Sequence, residues 1–313
     1  MTKPATKYGV LVGVDGSVGS DAAVRFAARE AMLRRAPLTL LHVVFPAPDW
    51  VTASRQLEIA AAREENAHYV LERARKTAAA AIGESALLDV HTEVVYSTVA
   101  SIFIGASSGA QMVVVGCRGT GVLGRLVLGS VSGAMAHHAH CPVAVIHDDD
   151  RSAASDAPVL VGVDGSPASK GAIELAFDEA SRRRVQLVAL HAWSDDGVFP
   201  TLGMDWRKYE TQGAQLLAER LARWQAQFPD VQVQRRVVCG KPAQWLIDES
   251  QRAQLVVVGS HESGGFPGML WGSVSFALAH STRTPLIIHR PGGANELSRQ
   301  RTPVRSDILH LHA

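Results

Sequence analysis

Val10-Leu-Val-Gly-Val-Asp-Gly-Ser17 and Val159-Leu-Val-Gly-Val-Asp-Gly-Ser166 are the same stretch written twice. Each is a short, nearly continuous apolar run, the signature of a strand buried on both faces. Each closes on Asp-Gly-Ser, a triplet with the chemistry of a turn. Working outward, four more matches follow in the same order. Leu40-Leu-His-Val43 is answered by Ala189-Leu-His-Ala192, and Gln111-Met-Val-Val-Val-Gly116 by Gln254-Leu-Val-Val-Val-Gly259. Gly129-Ser-Val-Ser132 is answered by Gly272-Ser-Val-Ser275, and Cys141-Pro-Val-Ala-Val-Ile-His147 by Thr284-Pro-Leu-Ile-Ile-His289. A period of about 150 residues is far longer than a solenoid repeat, so each copy is read as a whole domain.

Between the apolar runs lie helical stretches, at 20–35 and 57–81 in the first copy and at 168–184 and 206–228 in the second. The alternation β-α-β-α-β-α-β-α-β predicts an α/β fold, Rossmann-like, with a parallel sheet, helices on both faces and right-handed crossovers. The expected domains are 1–150 and 151–292, joined by a polar, small-residue linker at 148–158. The tail, 293–313, has little apolar periodicity and is expected to be disordered.

Composition narrows the function classes. The chain has 313 residues, 47% hydrophobic and 19% charged, enough apolar material for two cores. Its net charge of +1 gives no global field toward nucleic acid or anionic membrane. Cys117, Cys141 and Cys239 show no C-x-x-C spacing and read as reduced thiols. No apolar run approaches a membrane span, and the N-terminus lacks the apolar core of a signal peptide. The expectation is a cytoplasmic protein with neither nucleic acid nor membrane as partner.

The glycines point to a ligand. Gly116-Cys117-Arg118-Gly119 follows an apolar strand, and Gly129-Ser130 opens the next helix. Glycine at a strand end lets backbone approach a ligand, and a helix start presents N–H donors suited to phosphate. Arg118 and Arg125 stand within reach of the same loop, which also holds Thr120, Gly121 and Val122. Asp15 ends the first strand. If the first and fourth strands are neighbours, Asp15 and the glycine loop share the crevice where open α/β sheets bind ligands.

With these motifs the chain resembles a tandem universal stress protein, of the ATP-binding subgroup marked by G-x2-G-x9-G-[S/T]. The resemblance covers about residues 8 to 290. It implies, in each copy, a five-stranded parallel sheet of order 3-2-1-4-5 (the adenine nucleotide alpha hydrolase-like arrangement), and ATP across the ends of strands 1, 2 and 4. Mg or Mn is the candidate companion ion. By position, Gly13 and Asp15 would line the nucleoside side and the backbone of Val43 would bond the adenine. Gly116, Gly119, Gly129, Ser130, Val131 and Ser132 would hold ribose and phosphates, with Cys117 in the same loop. In the second lobe the matching positions are Gly162, Asp164, Ala192, Gly259, Gly272, Ser273, Val274 and Ser275. Its loop runs Ser260, His261, Glu262, Ser263, Gly264, Gly265, and Glu262 replaces the second glycine. Tighter ATP binding by lobe 1 is therefore expected. Single-lobe relatives pair as dimers, so the two lobes are expected to meet about a pseudo-two-fold axis, with a homodimer of whole chains also open.

Several features have plainer readings. Gly119-Thr-Gly121-Val-Leu-Gly124 fits G-x-G-x-x-G, but it follows the fourth strand and no acidic residue closes a second strand, which argues against NAD. Asp15 and Asp164 could serve only as turn residues. His137, His138 and His140 crowd one helix end without a completing metal set. His42 and His191 read as satisfied core histidines. Trp193, Trp206, Trp224, Trp245 and Trp271 read as packing or interface residues. No Walker A motif and no evident general base appear. The expected function is an ATP-binding regulatory stress-response protein that acts through nucleotide occupancy and an unidentified protein partner. A slow ATPase or adenylate-handling hydrolase and a nucleotide-free interaction scaffold are the alternatives.

Overall fold

The computed structural model describes residues 6–46, 50–83, 87–117, 129–147, 154–193, 206–260 and 273–290. The first copy runs β1 (Gly9–Gly13), α1 (Val18–Arg34), β2 (Leu38–Val44), α2 (Ala53–Ile82), β3 (Val90–Tyr96), α3 (Val99–Ser107), β4 (Ala110–Gly116), α4 (Ser130–His138) and β5 (Val143–Ile146). The second runs β6 (Val159–Gly162), α5 (Pro167–Arg183), β7 (Leu187–Trp193), α6 (Trp206–Gln227), β8 (Val233–Cys239), α7 (Pro242–Ser250), β9 (Leu255–Gly259), α8 (Ser273–Ser281) and β10 (Leu286–His289). The alternation matches the sequence reading. Helix α2 starts one turn earlier than expected, because its exposed first turns carry no apolar stripe to announce them. Positions 148–153 of the expected linker and the whole tail lie outside the described residues.

Within each copy the strands pair in parallel in the order 3-2-1-4-5. The two copies then join into one ten-stranded sheet, β3-β2-β1-β4-β5-β10-β9-β6-β7-β8. The junction is antiparallel, pairing Leu286 with Val145, Ile287 with Ala144 and Ile288 with Val143. Antiparallel meeting of equivalent strands relates the lobes by an approximate two-fold.

The strands are buried on both faces, which is why they read as continuous apolar runs. Along β4, Met112 and Val114 enter a core that includes buried residues of α1, α2, α5 and α6. Val113 and Val115 enter the opposite core, under α3, α4, α7 and α8. Both cores cross the lobe junction, with Ala144 and Ile287 in the first and Val143 and Ile288 in the second. Ala22, Ala23, Ala27, Ala28 and Ala31 form the buried stripe of α1, small enough to let the helix lie close on the sheet. In the second lobe Phe177 stacks on Phe228, and Trp224 is buried beside them in the same core. Full burial of each large aliphatic or aromatic side chain contributes roughly 1.5–3 kcal/mol. Among the described residues no helix is long and apolar enough to cross a membrane.

Candidate functional site

The crevice forms where β1 stops before its neighbours. The last β1 residue paired with β2 is Gly13, opposite Leu41, and Val14 then donates its N–H to the Leu41 carbonyl at 3.0 Å. Strand β2 continues to Val44, so Val43 lies beyond the last pairing with β1. On its other side β1 pairs with β4 as far as Val12 opposite Val114. The β1–β4 boundary is therefore the topological switch point, open at its carboxyl end. Lobe 2 repeats this: Gly162 pairs with Leu190, Val163 donates to the Leu190 carbonyl at 2.9 Å, and Ala192 lies beyond.

Asp15 sits at that opening in a network of short bonds. Its Oδ1 accepts the Ser17 N–H at 3.0 Å, its own N–H donates to Ser20 Oγ at 3.3 Å, and Ser17 Oγ accepts the Ser20 N–H at 3.1 Å. Ser17 thereby caps α1. Between them Gly16 has φ 80°, a left-handed conformation that favours glycine. Lobe 2 builds the same turn, with Asp164 accepting the Ser166 N–H at 2.9 Å, Ser166 capping α5, and Gly165 at φ 79°. The turn role that the sequence left open for both aspartates is thus realised.

Arg73, on α2, donates to the Gly16 carbonyl at 3.1 Å and pairs with Asp21 in the first turn of α1. Sequence reasoning missed it, since nothing local links Arg73 to a turn so far upstream. His42 donates from Nδ1 to the Val14 carbonyl at 2.6 Å, and His191 to the Val163 carbonyl at 2.7 Å. Both are satisfied, as read, and both pin the backbone just ahead of the aspartate turn.

Gly13 and Gly162 have a packing explanation. A Cβ on Gly13 would lie 2.9 Å from the Phe103 ring, and one on Gly162 would lie 3.0 Å from Leu246. Both neighbours come from the helix beneath (α3 or α7), so the side chain is excluded by the core. On Gly259 a Cβ would lie 2.7 Å from the Ala168 backbone, where α5 begins.

The other side of the lobe 1 crevice is the start of α4. Gly116 ends β4, Cys117 is buried, and the Gly129 N–H donates to the Cys117 carbonyl at 3.1 Å. That bond holds the start of α4 at the end of β4, and with the Gly129 amide so engaged the first-turn donors begin after Gly129. Ser132 is buried and its hydroxyl donates to the Gly129 carbonyl at 2.9 Å. Among the described residues no side chain caps α4, whose N-cap is Gly129; α2, α3 and α7 likewise lack a side-chain cap, whereas serines cap α1 and α5. The amides of Ser130, Val131 and Ser132 are then the first-turn donors, with the positive end of the helix dipole behind them.

In lobe 2, Ser260 donates its N–H to the His289 carbonyl at 2.8 Å; Ser273 and Val274 open α8, and Ser275 is buried in its first turn. The positions Arg118, Gly119, Thr120, Gly121, Val122 and Arg125 lie outside the described residues. So do His261, Glu262, Ser263, Gly264, Gly265 and Gly272. What lies at the carboxyl end of the lobe 1 sheet is the Asp15 turn, Val43 near the end of β2, Gly116 at the end of β4 and the start of α4 at Ser130.

Residues 9–147 match the Universal stress protein family, and residues 157–290 match it again. The chain belongs to the universal stress protein family. A universal stress protein of Mycolicibacterium smegmatis is 53% identical over 293 residues, covering 93% of this chain and 100% of the relative. One of Mycobacterium tuberculosis (strain ATCC 25618 / H37Rv) is 47% identical over 293 residues, covering 93% and 99%. The crystal structure of a universal stress protein from Archaeoglobus fulgidus superposes with a TM-score of 0.69 at 18% identity, over 91% of this chain and 100% of that one. At that identity it speaks for the fold, and its span matches the tandem universal stress protein arrangement seen here.

Proposed function

We propose that lobe 1 of this universal stress protein binds ATP in the β1–β4 crevice and acts through nucleotide occupancy and a protein partner, without efficient turnover. The observation that carries the reading is the place of the α4 start, held at the end of β4 beside the switch point, where glycine is the N-cap and offers no side chain of its own. An uncapped helix start beside a strand end suits a phosphate group, whose negative charge the dipole favours. The described residues fit the nucleotide: Ser130, Val131 and Ser132 would offer amides to phosphate, Val43 would offer backbone to the base, and Asp15 would face the nucleoside. Bound there, ATP supplies the anionic phosphates that α4 can hold.

The test is mass spectrometry of freshly purified, denatured protein, which reads nucleotide identity and stoichiometry together. It is followed by calorimetry with ATP in the presence and absence of Mg or Mn. Copurified ATP, or saturable ATP binding, is expected. Absence of both would leave the nucleotide-free scaffold reading standing, and rapid phosphate release in a turnover assay would convert the proposal to an ATPase.

A further inference from the structure

On the face carrying α1 and α5, the two lobes meet through four buried charges. Arg34 bonds Glu30 on its own helix, Nε to Oε2 at 3.2 Å, and reaches across to Glu179. Arg183 bonds Glu179 on its own helix and reaches across to Glu30. The side chains of Glu30, Glu179, Arg34 and Arg183 are 1%, 0%, 4% and 10% exposed. Each lobe contributes one carboxylate and one guanidinium at matching positions, Glu30-Ala-Met-Leu-Arg34 and Glu179-Ala-Ser-Arg-Arg183. The quartet is neutral and follows the same two-fold as the sheet.

The sheet junction beside it has no polar pair to specify its register. It holds three residue pairs between strands of four residues, and the paired side chains are all aliphatic. Sliding one strand by two residues, about 7 Å, keeps every side chain on its original face. Valine, alanine, leucine and isoleucine offer no chemistry that rejects such a slip. On the opposite face, His147 donates to the Ala279 carbonyl at 3.0 Å and Cys117 Sγ approaches the same atom at 4.0 Å. That contact converges on a single acceptor. The charge quartet is far less forgiving: a 7 Å slip would break both cross-lobe pairs, Arg34–Glu179 and Arg183–Glu30, and leave each buried charge with only its own-helix partner, an unfavourable state.

We propose that the Glu30–Arg34–Glu179–Arg183 quartet is the register pin of the lobe–lobe pairing, selecting the one β5–β10 alignment in which each of the four charges also has a partner on the other lobe. Its role is specificity of arrangement, since burial of ion pairs in place of apolar groups gives little net stability.

Two variants of the full chain test this. In the first, Glu30→Gln, Arg34→Met, Glu179→Gln and Arg183→Met together remove every charge. Cooperative unfolding is expected to persist, while hydrogen-exchange protection of the β5 and β10 amides falls at least about tenfold relative to β1 and β2, as alternative alignments become accessible. In the second, Glu30→Arg with Arg34→Glu sets a guanidinium against Arg183 and a carboxylate against Glu179. Opposite charges then face each other only when lobe 1 meets lobe 1 of another chain, and likewise for lobe 2. The expected result is an assembly of at least twice the mass of the unaltered protein, read by light scattering. Unchanged mass with unchanged exchange would overturn the proposal. If the second variant fails to fold, the first decides alone. Unaltered protection at β5 and β10 overturns the pin, and so does loss of cooperative unfolding, which would make the quartet a stability element instead.

Discussion

Asp15 holds the Ser17 amide through Oδ1, so its effects on turn and ligand must be separated by the choice of variant. Asparagine keeps an Oδ1 acceptor and loses only the charge. Asp15→Asn is expected to unfold within about 0.5 kcal/mol of the unaltered protein, and Asp15→Ala to lose about 1 kcal/mol in urea denaturation. If ATP lies in the crevice as proposed, Asp15→Ala also weakens it by about 10- to 150-fold in calorimetry. Equal stability in all three proteins would remove the turn role. Cys141 offers a second test. Burial pushes its thiol up to about 12, against smaller opposing pulls from the Val113 backbone and Arg34. The folded chain therefore holds this proton more tightly than the unfolded chain, whose thiol sits near the usual 9.0. The resulting stability is present below the usual 9.0 and lost as pH rises toward about 12. Cys141→Ala should flatten that alkaline loss. At neutral pH a thiol-alkylating reagent should label the partly exposed Cys239 well before Cys117 or Cys141, a ranking that peptide mapping reads directly.

Helix α3 is placed by what β1 lacks. Phe103 fills the space beside Gly13, and Leu246 of α7 fills the space beside Gly162. Gly13→Ala would force the Phe103 ring to move, at a cost of about 1–3 kcal/mol. Phe103→Leu alone leaves a gap, but the double variant should recover part of the loss. A coupling of at least about 0.5 kcal/mol is expected from a double-mutant cycle in urea. Strict additivity would mean that the glycine is there for some other reason. The neighbouring element, α4, has the opposite character: its N-cap is a glycine with no side chain to close its start, and a ligand is the proposed partner of its amides.

At the scale of the whole molecule the lobes share one sheet and two cores, yet their clefts differ in sequence. Glu262 replaces a loop glycine in lobe 2. If ATP enters the lobe 2 cleft as proposed for lobe 1, a carboxylate about 6 Å from a phosphate charge, at an effective dielectric near 20, would oppose binding by about 3 kcal/mol. That corresponds to roughly a hundredfold in affinity before the side chain swings away or a divalent ion intervenes. One tight ATP per chain is the expected stoichiometry, rising toward two in Glu262→Gly. Two equal tight sites in the unaltered chain, or no gain in the variant, would refute the asymmetry. The quartet beneath the junction adds a pH dependence of its own. Burial, and then the neighbouring Glu30, raise the Glu179 carboxyl above its usual 4.5. By the same linkage its contribution is full below the usual 4.5 and declines as pH rises above that value. The chain stripped of all four charges should lack this decline.

The amino-acid sequence by itself determined the duplication, the strand–helix alternation, the parallel sheet and the aspartate turns. Each of these rests on local signals: apolar runs sized for buried strands, and Asp-Gly-Ser where a strand must end. The crevice was readable for the same reason, since strand ends and helix starts carry their own residues. Tertiary structure decided what depends on distance through space. Arg73 reaches the Gly16 carbonyl from another helix, and Phe103 alone explains Gly13. That β5 and β10 join the lobes into one ten-stranded sheet could not be read from two short aliphatic strands, because such strands look alike whatever they pair with. The Glu-Ala-x-x-Arg repeat was visible in both copies, but on a helix it reads equally well as a solvated i,i+4 pair. Only the antiparallel meeting of the two lobes brings α1 and α5 together, buries all four charges and gives each a partner on the other lobe.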